Sequence, residues 1–139
     1  MVTKFSHVPI FVLDQDSAYD FYVNKLGFEV KTDAKMDNGF RWLTVAPKGQ
    51  GDPDFEIILM PTAGPNTDEK NAPAIRELLK KGALGAGVFH VDDCRKTYEE
   101  LKAKGVKFRR EPGEQFYGIE CIMEDDSGNW FSMTQPKHH

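Results

Sequence analysis

The chain has 139 residues, enough for one domain with a single sizeable core. Its net charge of −4 offers no attraction for nucleic acid or for an anionic membrane surface. No apolar run is long enough to cross a membrane, and the first residues lack the pattern of a signal peptide, so we expect a cytoplasmic protein. The two cysteines, Cys94 and Cys121, fit no metal-ligand spacing, and we expect them to be buried or half-buried thiols.

The sequence contains an internal repeat. Residues 11–30 align without a gap on residues 89–108. Each copy has an apolar run, an aspartate that can cap a helix, about three helical turns, a glycine stop and a second apolar run. The repeat therefore predicts two modules of the same architecture.

The first module is predicted to have the order βαβββ, because apolar and β-branched runs flank one helical pattern. The predicted elements are a strand at 5–13, a helix that ends at Gly27, a strand at 28–32, a hairpin of 31–36 and 40–45 around the turn at 37–39, and a strand at 55–60.

A long, polar connection at 62–85 is interpreted as a linker with a short crossing helix that begins near Asn71 and ends at Gly82. The second module then repeats the first, with strands at 86–91, 106–109, 118–123 and 129–134 and a helix at 95–104. We therefore divide one domain, 1–139, into module one at 5–61, the connection at 62–85 and module two at 86–135. His138 and His139 are either a natural end or the remnant of a purification tag.

Five segments, in chain order, resemble the vicinal oxygen chelate superfamily, which includes glyoxalase I, extradiol dioxygenases, fosfomycin-resistance thiol transferases and bleomycin-resistance proteins. The segments are FYVNKLGFEV at 21–30, VDD at 91–93, LKAKGVKF at 101–108, YGIE at 117–120 and EDDSGNWFSMTQP at 124–136. The resemblance covers nearly the whole chain. It implies an α+β fold of two tandem βαβββ modules that form an open cup of mixed β-sheet with flanking helices, usually completed in a homodimer.

The resemblance also implies four positions for the ligands of a divalent metal. They are His7, Glu56, Ala86 and Ser132 here, although Ile58 could replace Glu56 because the register of the fourth strand is ambiguous. His90 lies about 13 Å along the strand from Ala86, too far to substitute for it. With two of four ligands missing, we expect no metal and no other cofactor.

Strand alternation predicts which side chains would line the cup. His7 and Glu56 are the candidate acid–base groups, and an aromatic, lightly polar lining would suit an organic molecule. The same side chains could instead fill the cup as core. The candidate ligand-binding residues are Phe11, Trp42, Ile58, Met60, Val88, His90, Tyr117, Trp130 and Ser132. Glu120 and Glu124 are most simply exposed, but either could act as a base if the pocket raised its pKa, and Glu120 could replace Glu56 as the partner of His7. Arg41 is either a solvated surface residue or a partner for an anionic substrate.

The leading hypothesis is a glyoxalase- or bleomycin-resistance-like homodimer, without metal, that binds a small organic molecule. The alternative is a lyase, isomerase or dioxygenase of the same superfamily that uses a divalent metal or a His7/Glu56 acid–base pair. A third interpretation is a scaffold whose cup is filled by side chains. The expected partners are a small molecule and a second copy of the chain, with no nucleic acid and no membrane.

Overall fold

The computed structural model describes residues 1–64 and 67–137, so the hypotheses on His138 and His139 and part of the predicted connection lie outside the described residues. The chain divides into two compact units, Met1–Glu77 and Leu78–His139. Each unit contains one four-stranded mixed sheet. The predicted α+β class with two βαβββ modules is thereby confirmed. Among the described residues, no helix is long and apolar enough to span a membrane.

Unit 1 follows the predicted order of elements. Asp14 caps the first helix by accepting a hydrogen bond from the backbone N–H of Ser17 at 2.8 Å. The sheet has the strand order β1-β4-β3-β2, and β1 and β4 are parallel. The elements are β1 (His7–Val12), α1 (Gln15–Tyr19), a π-helical turn (Asp20–Lys25), β2 (Glu29–Lys35), β3 (Arg41–Ala46) and β4 (Glu56–Pro61).

One face of this sheet forms the core of unit 1 with the helical segment. Alternate residues of the strands point to this face, as the period of a strand requires. Its buried side chains are Ile10, Val12, Leu43, Val45, Ile57 and Leu59 from the strands and Ala18, Phe21 and Tyr22 from the helical segment. The opposite face carries the other set of alternating residues.

Unit 2 repeats this arrangement with the strand order β5-β8-β7-β6. A 3₁₀ turn (Glu69–Asn71) and helix α2 (Ala72–Lys80) precede β5 in the chain. Phe89 stacks on Phe131 with ring centroids 4.6 Å apart, on the face that packs against the helix. The elements are β5 (Gly85–His90), α3 (Cys94–Ala103), β6 (Lys107–Gln115), β7 (Gly118–Glu124) and β8 (Trp130–Pro136).

Two elements differ from the sequence-based expectation. The first helix widens into a π-helical turn, because the N–H of Leu26 donates to the carbonyl of Phe21, five residues back. Strand β6 extends to Gln115, well beyond the predicted end at residue 109. Irregular pairing between Arg110 and Gly113 lets the ladder continue past Pro112, which has no N–H to donate.

A substitution at Gly128, in the turn between β7 and β8, tests the packing of unit 2. Its φ is +102°, and a Cβ at this position would overlap the carbonyl oxygen of Leu79. We therefore expect Gly128→Ala to lower the free energy of unfolding by about 3 kcal/mol or more, measured by urea denaturation. Gly51→Ala is the matched control, since a Cβ there meets no atom within 4 Å. Equal stability of the two variants would contradict this account of the turn.

Candidate functional site

The register of β1 against β4 brings two polar residues of unit 1, His7 and Glu56, next to each other. His7 lies directly opposite Glu56, and Phe11 lies opposite Met60. The His7 Nε2 atom is 3.4 Å from Glu56 Oε2. Glu56, rather than Ile58, is thus the neighbour of His7, and the register that the sequence left open is fixed by the strand pairing.

Both members of this pair have a second polar neighbour. Thr44 in β3 donates a hydrogen bond to Glu56 Oε1 at 2.5 Å, and Ser6 Oγ lies 2.8 Å from His7 Nδ1. The side chain of His7 is 37% exposed and that of Glu56 is 22% exposed. The pair is therefore held from both sides while parts of both groups remain open to solvent.

Two aromatic rings extend this polar pair into a mixed surface. The ring centroid of Trp42 is 6.4 Å from that of His7 and 6.3 Å from that of Phe40. Interplanar angles of 45° and 52° mean that neither neighbour stacks flat on the indole. Phe40 was absent from the predicted site, although it begins the predicted strand 40–45 and strand alternation from Trp42 would have placed it on the same face.

The remaining predicted residues of unit 1 lie on the same face of the sheet by strand register. Phe11 and Met60 are half-buried and Ile58 is buried. Gly64 approaches closely, since a Cβ there would lie 3.3 Å from Phe40 and 3.6 Å from Met60. We call this surface the open face of unit 1; its side chains are His7, Phe11, Phe40, Trp42, Thr44, Glu56, Ile58 and Met60.

Arg41 already pairs through its guanidinium with two carboxylates of the chain. Its guanidinium donates two hydrogen bonds to Asp33, at 2.8 and 3.0 Å, and one to Asp16 at 2.6 Å. These bonds from Arg41 lower the pKa of Asp33, and those to Asp33 raise the pKa of Arg41. Arg41 is therefore a partly exposed arginine whose side chain is held by two carboxylates, and its exposed fraction is 26%.

Unit 2 contains a buried carboxylate that the sequence analysis placed at the surface. Glu120 in β7 is 8% exposed. Its carboxylate accepts hydrogen bonds at 2.5 Å from Ser132 Oγ, Tyr117 Oη and a guanidinium nitrogen of Arg110. The interpretation of Glu120 as exposed was wrong, because its cross-strand neighbour is the buried Thr134. We call Arg110, Tyr117, Glu120 and Ser132 the polar cluster.

The neighbours of Glu120 in the polar cluster keep its carboxylate ionised. Burial alone would raise the pKa of Glu120, but the hydrogen bonds from Ser132 and Tyr117 and the charge of Arg110 together lower it below the ordinary 4.5. The hydrogen bond to Glu120 in turn raises the pKa of Tyr117. Glu120 is thus a stabilised carboxylate with three donors, which makes it a weaker proton acceptor than a free glutamate.

The structure places the other predicted residues of unit 2 in different surroundings. Val88 lies opposite Ser132, and His90 lies opposite Thr134, on the edge strand β5. Val88 is 62% exposed and His90 is also exposed. Ala86 falls at an irregularity in the pairing of β5 with β8.

Trp130 has a structural role in unit 2. It packs so closely against Gly85 that a Cβ at residue 85 would overlap the indole ring. The guanidinium of Arg109 lies 6.0 Å from the ring centroid on the indole face. Arg109 is itself fixed by hydrogen bonds to Glu124 at 2.6 Å and to the carbonyl of Gly82 at 2.7 Å. Trp130 therefore anchors the first residues of β5 and β8 to each other.

Comparison with known proteins identifies the family. The sequence pattern of the Glyoxalase/Bleomycin resistance protein/Dioxygenase superfamily matches residues 4–133. The chain belongs to this superfamily. The resemblance noted in the sequence is thereby confirmed.

Three proteins are similar over almost the full length of the chain. The crystal structure of UcmS2 has 47% identical residues and a TM-score of 0.88, covering 96% of this chain and 98% of that one. TnmS3, an antibiotic binding protein from Streptomyces sp. CB03234, has 27% identity and a TM-score of 0.75, covering 98% of both chains. The uncharacterized protein YurT of Bacillus subtilis (strain 168) is 36% identical over 126 residues, which are 91% of this chain and 94% of YurT.

The divalent metal of the superfamily does not fit the donors present. Of the four positions that the resemblance implies for metal ligands, His7 and Glu56 carry metal-binding groups, whereas Ala86 has none and the Ser132 hydroxyl donates to Glu120. The Glu120 carboxylate already accepts three hydrogen bonds. Within residues 1–64 and 67–137, no group of three or more His, Cys, Asp or Glu side chains could hold a metal ion.

The polar cluster predicts a specific pH dependence. Because the pKa of Glu120 is lower in the folded chain than in the unfolded one, its stabilisation is complete above the ordinary value of 4.5 and is lost as the pH falls through the folded value. We expect Glu120→Gln to cost about 1–3 kcal/mol at pH 7, because the amide N–H₂ faces donors. The difference from wild type should shrink in acid, as followed by urea denaturation from pH 7 to pH 3.

Glu124→Gln is the matched control, since Glu124 also pairs with an arginine but its side chain is 27% exposed. It should cost less than 1 kcal/mol at pH 7 by the usual worth of such pairs. A constant difference between wild type and Glu120→Gln over the whole pH range would contradict the charged state of the cluster.

Proposed function

We propose that this protein binds a small, partly aromatic organic molecule on the open face of unit 1 and does not transform it. The observation that carries the proposal is the association of the tilted Trp42, Phe40 and His7 rings with the partly exposed Glu56 carboxylate. We further propose that the protein is a cytoplasmic homodimer and needs no metal.

The aromatic part of the surface suits a flat ring. Trp42 is half-buried, so its indole is held in place by the sheet while part of it stays accessible. His7 and Phe40 are both tilted relative to the indole and do not stack flat on it. The ring of a ligand can therefore stack on the indole of Trp42. Phe11, Ile58 and Met60 continue the apolar surface along the strands.

The polar part of the surface supplies hydrogen bonds of both kinds. Glu56 Oε2 is not the atom that accepts from Thr44, so it can accept from a hydroxyl or amine of a ligand. The Nε2 atom of His7, on the same side of the pair, can donate or accept according to its tautomer. A few polar groups in an apolar surface are the usual composition of a small-molecule site.

Two further observations support binding without chemistry. TnmS3, which is similar over 98% of the chain, is an antibiotic binding protein. The metal donors at the superfamily positions are reduced to His7 and Glu56, and sequestration requires affinity rather than a Lewis acid. Glu120 is the other carboxylate with a possible catalytic role, and its low pKa makes it a poor base.

One observation favours a catalytic alternative. A histidine and a glutamate 3.4 Å apart, both partly exposed, can act as an acid–base pair in a lyase or isomerase. In such an enzyme, His7 would move a proton on the substrate and Glu56 would orient the imidazole. A metal-dependent dioxygenase would in addition need ligands beyond these two.

Native mass spectrometry of untagged protein tests the assembly and the metal together. The cells would grow in medium supplemented with zinc, nickel, manganese and iron. We expect a dimer without stoichiometric metal, and any retained organic mass would identify the ligand class. One metal ion per protomer would overturn the metal-free proposal and give the metal-dependent alternatives first place.

The role of Trp42 can be measured with a panel of planar aromatic antibiotics. The compound that most raises the melting temperature of wild-type protein serves as the probe, following the linkage between binding and stability. We expect Trp42→Ala to weaken its affinity at least about tenfold in calorimetric titration, because a stacking ring is lost.

Phe116→Ala is the control for this experiment, since Phe116 is 88% exposed and lies in unit 2. Its affinity should equal that of wild type. Full affinity in Trp42→Ala would show that the ligand binds elsewhere.

Turnover separates the two candidate functions. We expect wild-type protein, with or without added zinc or nickel, to give no more S-lactoylglutathione from methylglyoxal and glutathione than buffer with the same metal. The reason is that His7 and Glu56 alone do not hold the metal on which this reaction depends. Turnover that is lost in His7→Gln would favour the lyase alternative instead.

A further inference from the structure

The two cysteines of unit 2 are in direct contact although they are distant in the sequence. The Sγ atoms of Cys94 and Cys121 lie 3.6 Å apart, and both side chains are fully buried. Cys94 is the first residue of α3, and Cys121 lies in the middle of β7. The expectation of buried thiols is met, and the structure adds that they are neighbours.

Both cysteines are held in place by their surroundings. The backbone N–H of Cys94 donates to Gln135 Oε1 at 3.0 Å, which fixes the start of α3 against β8. Cys121 pairs with Met133 across the ladder of β7 and β8. The Cys94 thiol also lies 3.6 Å from the carbonyl oxygen of Met133. The contact between the sulfurs therefore follows from the packing of α3 on the sheet.

We propose that Cys94 and Cys121 are a site of reversible oxidation, at which a peroxide converts the two thiols into an intramolecular disulfide that links α3 to β7. The two sulfurs need to approach by about 1.6 Å to reach the length of an S–S bond. We expect side-chain rotation at Cys94 and Cys121 to supply this distance.

The reaction balances with the peroxide as the oxidant. One thiolate attacks a peroxide oxygen, the O–O bond breaks, and a sulfenic acid and one water form after proton transfer. The second thiolate attacks the sulfenic sulfur, the S–O bond breaks, and the hydroxide leaves as a second water. Two thiols and one hydrogen peroxide thus give one disulfide and two waters.

Burial slows the oxidation of these thiols but does not prevent it. Desolvation raises the pKa of Cys94 and raises the pKa of Cys121 to about 12, so few thiolates are present at neutral pH. Hydrogen peroxide is nearly as small as water and can reach such a site through local opening. Under ordinary reducing conditions the thiols therefore stay free, and the disulfide forms during sustained peroxide exposure.

The disulfide would stabilise the segment that carries most of the polar cluster. The chain between the two cysteines includes α3, β6 and the first residues of β7, and therefore Arg110, Tyr117 and Glu120. Closing this loop restricts the unfolded chain, which raises the stability of the folded one. We expect the oxidised protein to melt at least about 5 °C higher than the reduced protein.

The test uses the wild-type protein in two redox states, which avoids variants with altered packing. Folded protein is exposed to hydrogen peroxide, the remaining thiols are alkylated, and the intact mass and tryptic peptides are measured. We expect the loss of two hydrogen atoms and a peptide pair linked through Cys94 and Cys121. Dithiothreitol should restore both the original mass and the original melting temperature.

A sample unfolded in guanidinium and oxidised in the same way is the control for oxidant strength. Thiols that stay free in the folded protein while the unfolded sample forms the disulfide would overturn the proposal. So would sulfinic acid at either cysteine, or a disulfide between two chains. A linked protein whose melting temperature does not rise would overturn the stabilising role.

Discussion

The parallel pairing of the first and last strand in each unit decides which side chains share the face opposite the helix. In unit 1 it sets His7 beside Glu56, and in unit 2 it sets Val88 beside Ser132. Because strand side chains alternate, a shift of one residue would send every one of these groups into the helix-packed core. The apolar residues packed under the helical segments thus hold the register on which the open face of unit 1 depends.

Arginine–carboxylate contacts perform similar structural tasks in both units. Arg41 joins β3 to β2 and to the start of α1 through Asp33 and Asp16. Arg109 joins β6 to β7 through Glu124 while it covers Trp130. These guanidiniums are occupied by partners within the chain. Anionic ligands consequently gain little from them, which agrees with a ligand recognised by stacking and a few hydrogen bonds.

Much of the fold could be predicted from the repeat, because the aspartate caps and the glycine stops mark the same elements in both copies. The open face of unit 1 was harder to predict from the sequence. FEIILM, at 55–60, has no polar alternation after Glu56, so only the pairing with β1 fixes its register. Glu120 was missed because its burial depends on Tyr117, Arg110 and Ser132, which converge only after β6 pairs irregularly with β7. Phe40 could have been found, because it begins the predicted strand 40–45 and lies two residues before Trp42, on the same face by strand alternation.

The two carboxylates that could have acted as bases have opposite environments. Glu120 is buried and accepts three hydrogen bonds, and its lowered pKa favours the charged form over proton transfer. Glu56 has one donor from Thr44 and an oxygen near His7, so it is the group that a ligand can still reach. A superfamily enzyme would need a metal or a strong base at this point of the fold. A binding protein needs only an oriented acceptor next to an aromatic surface, and the open face of unit 1 has both.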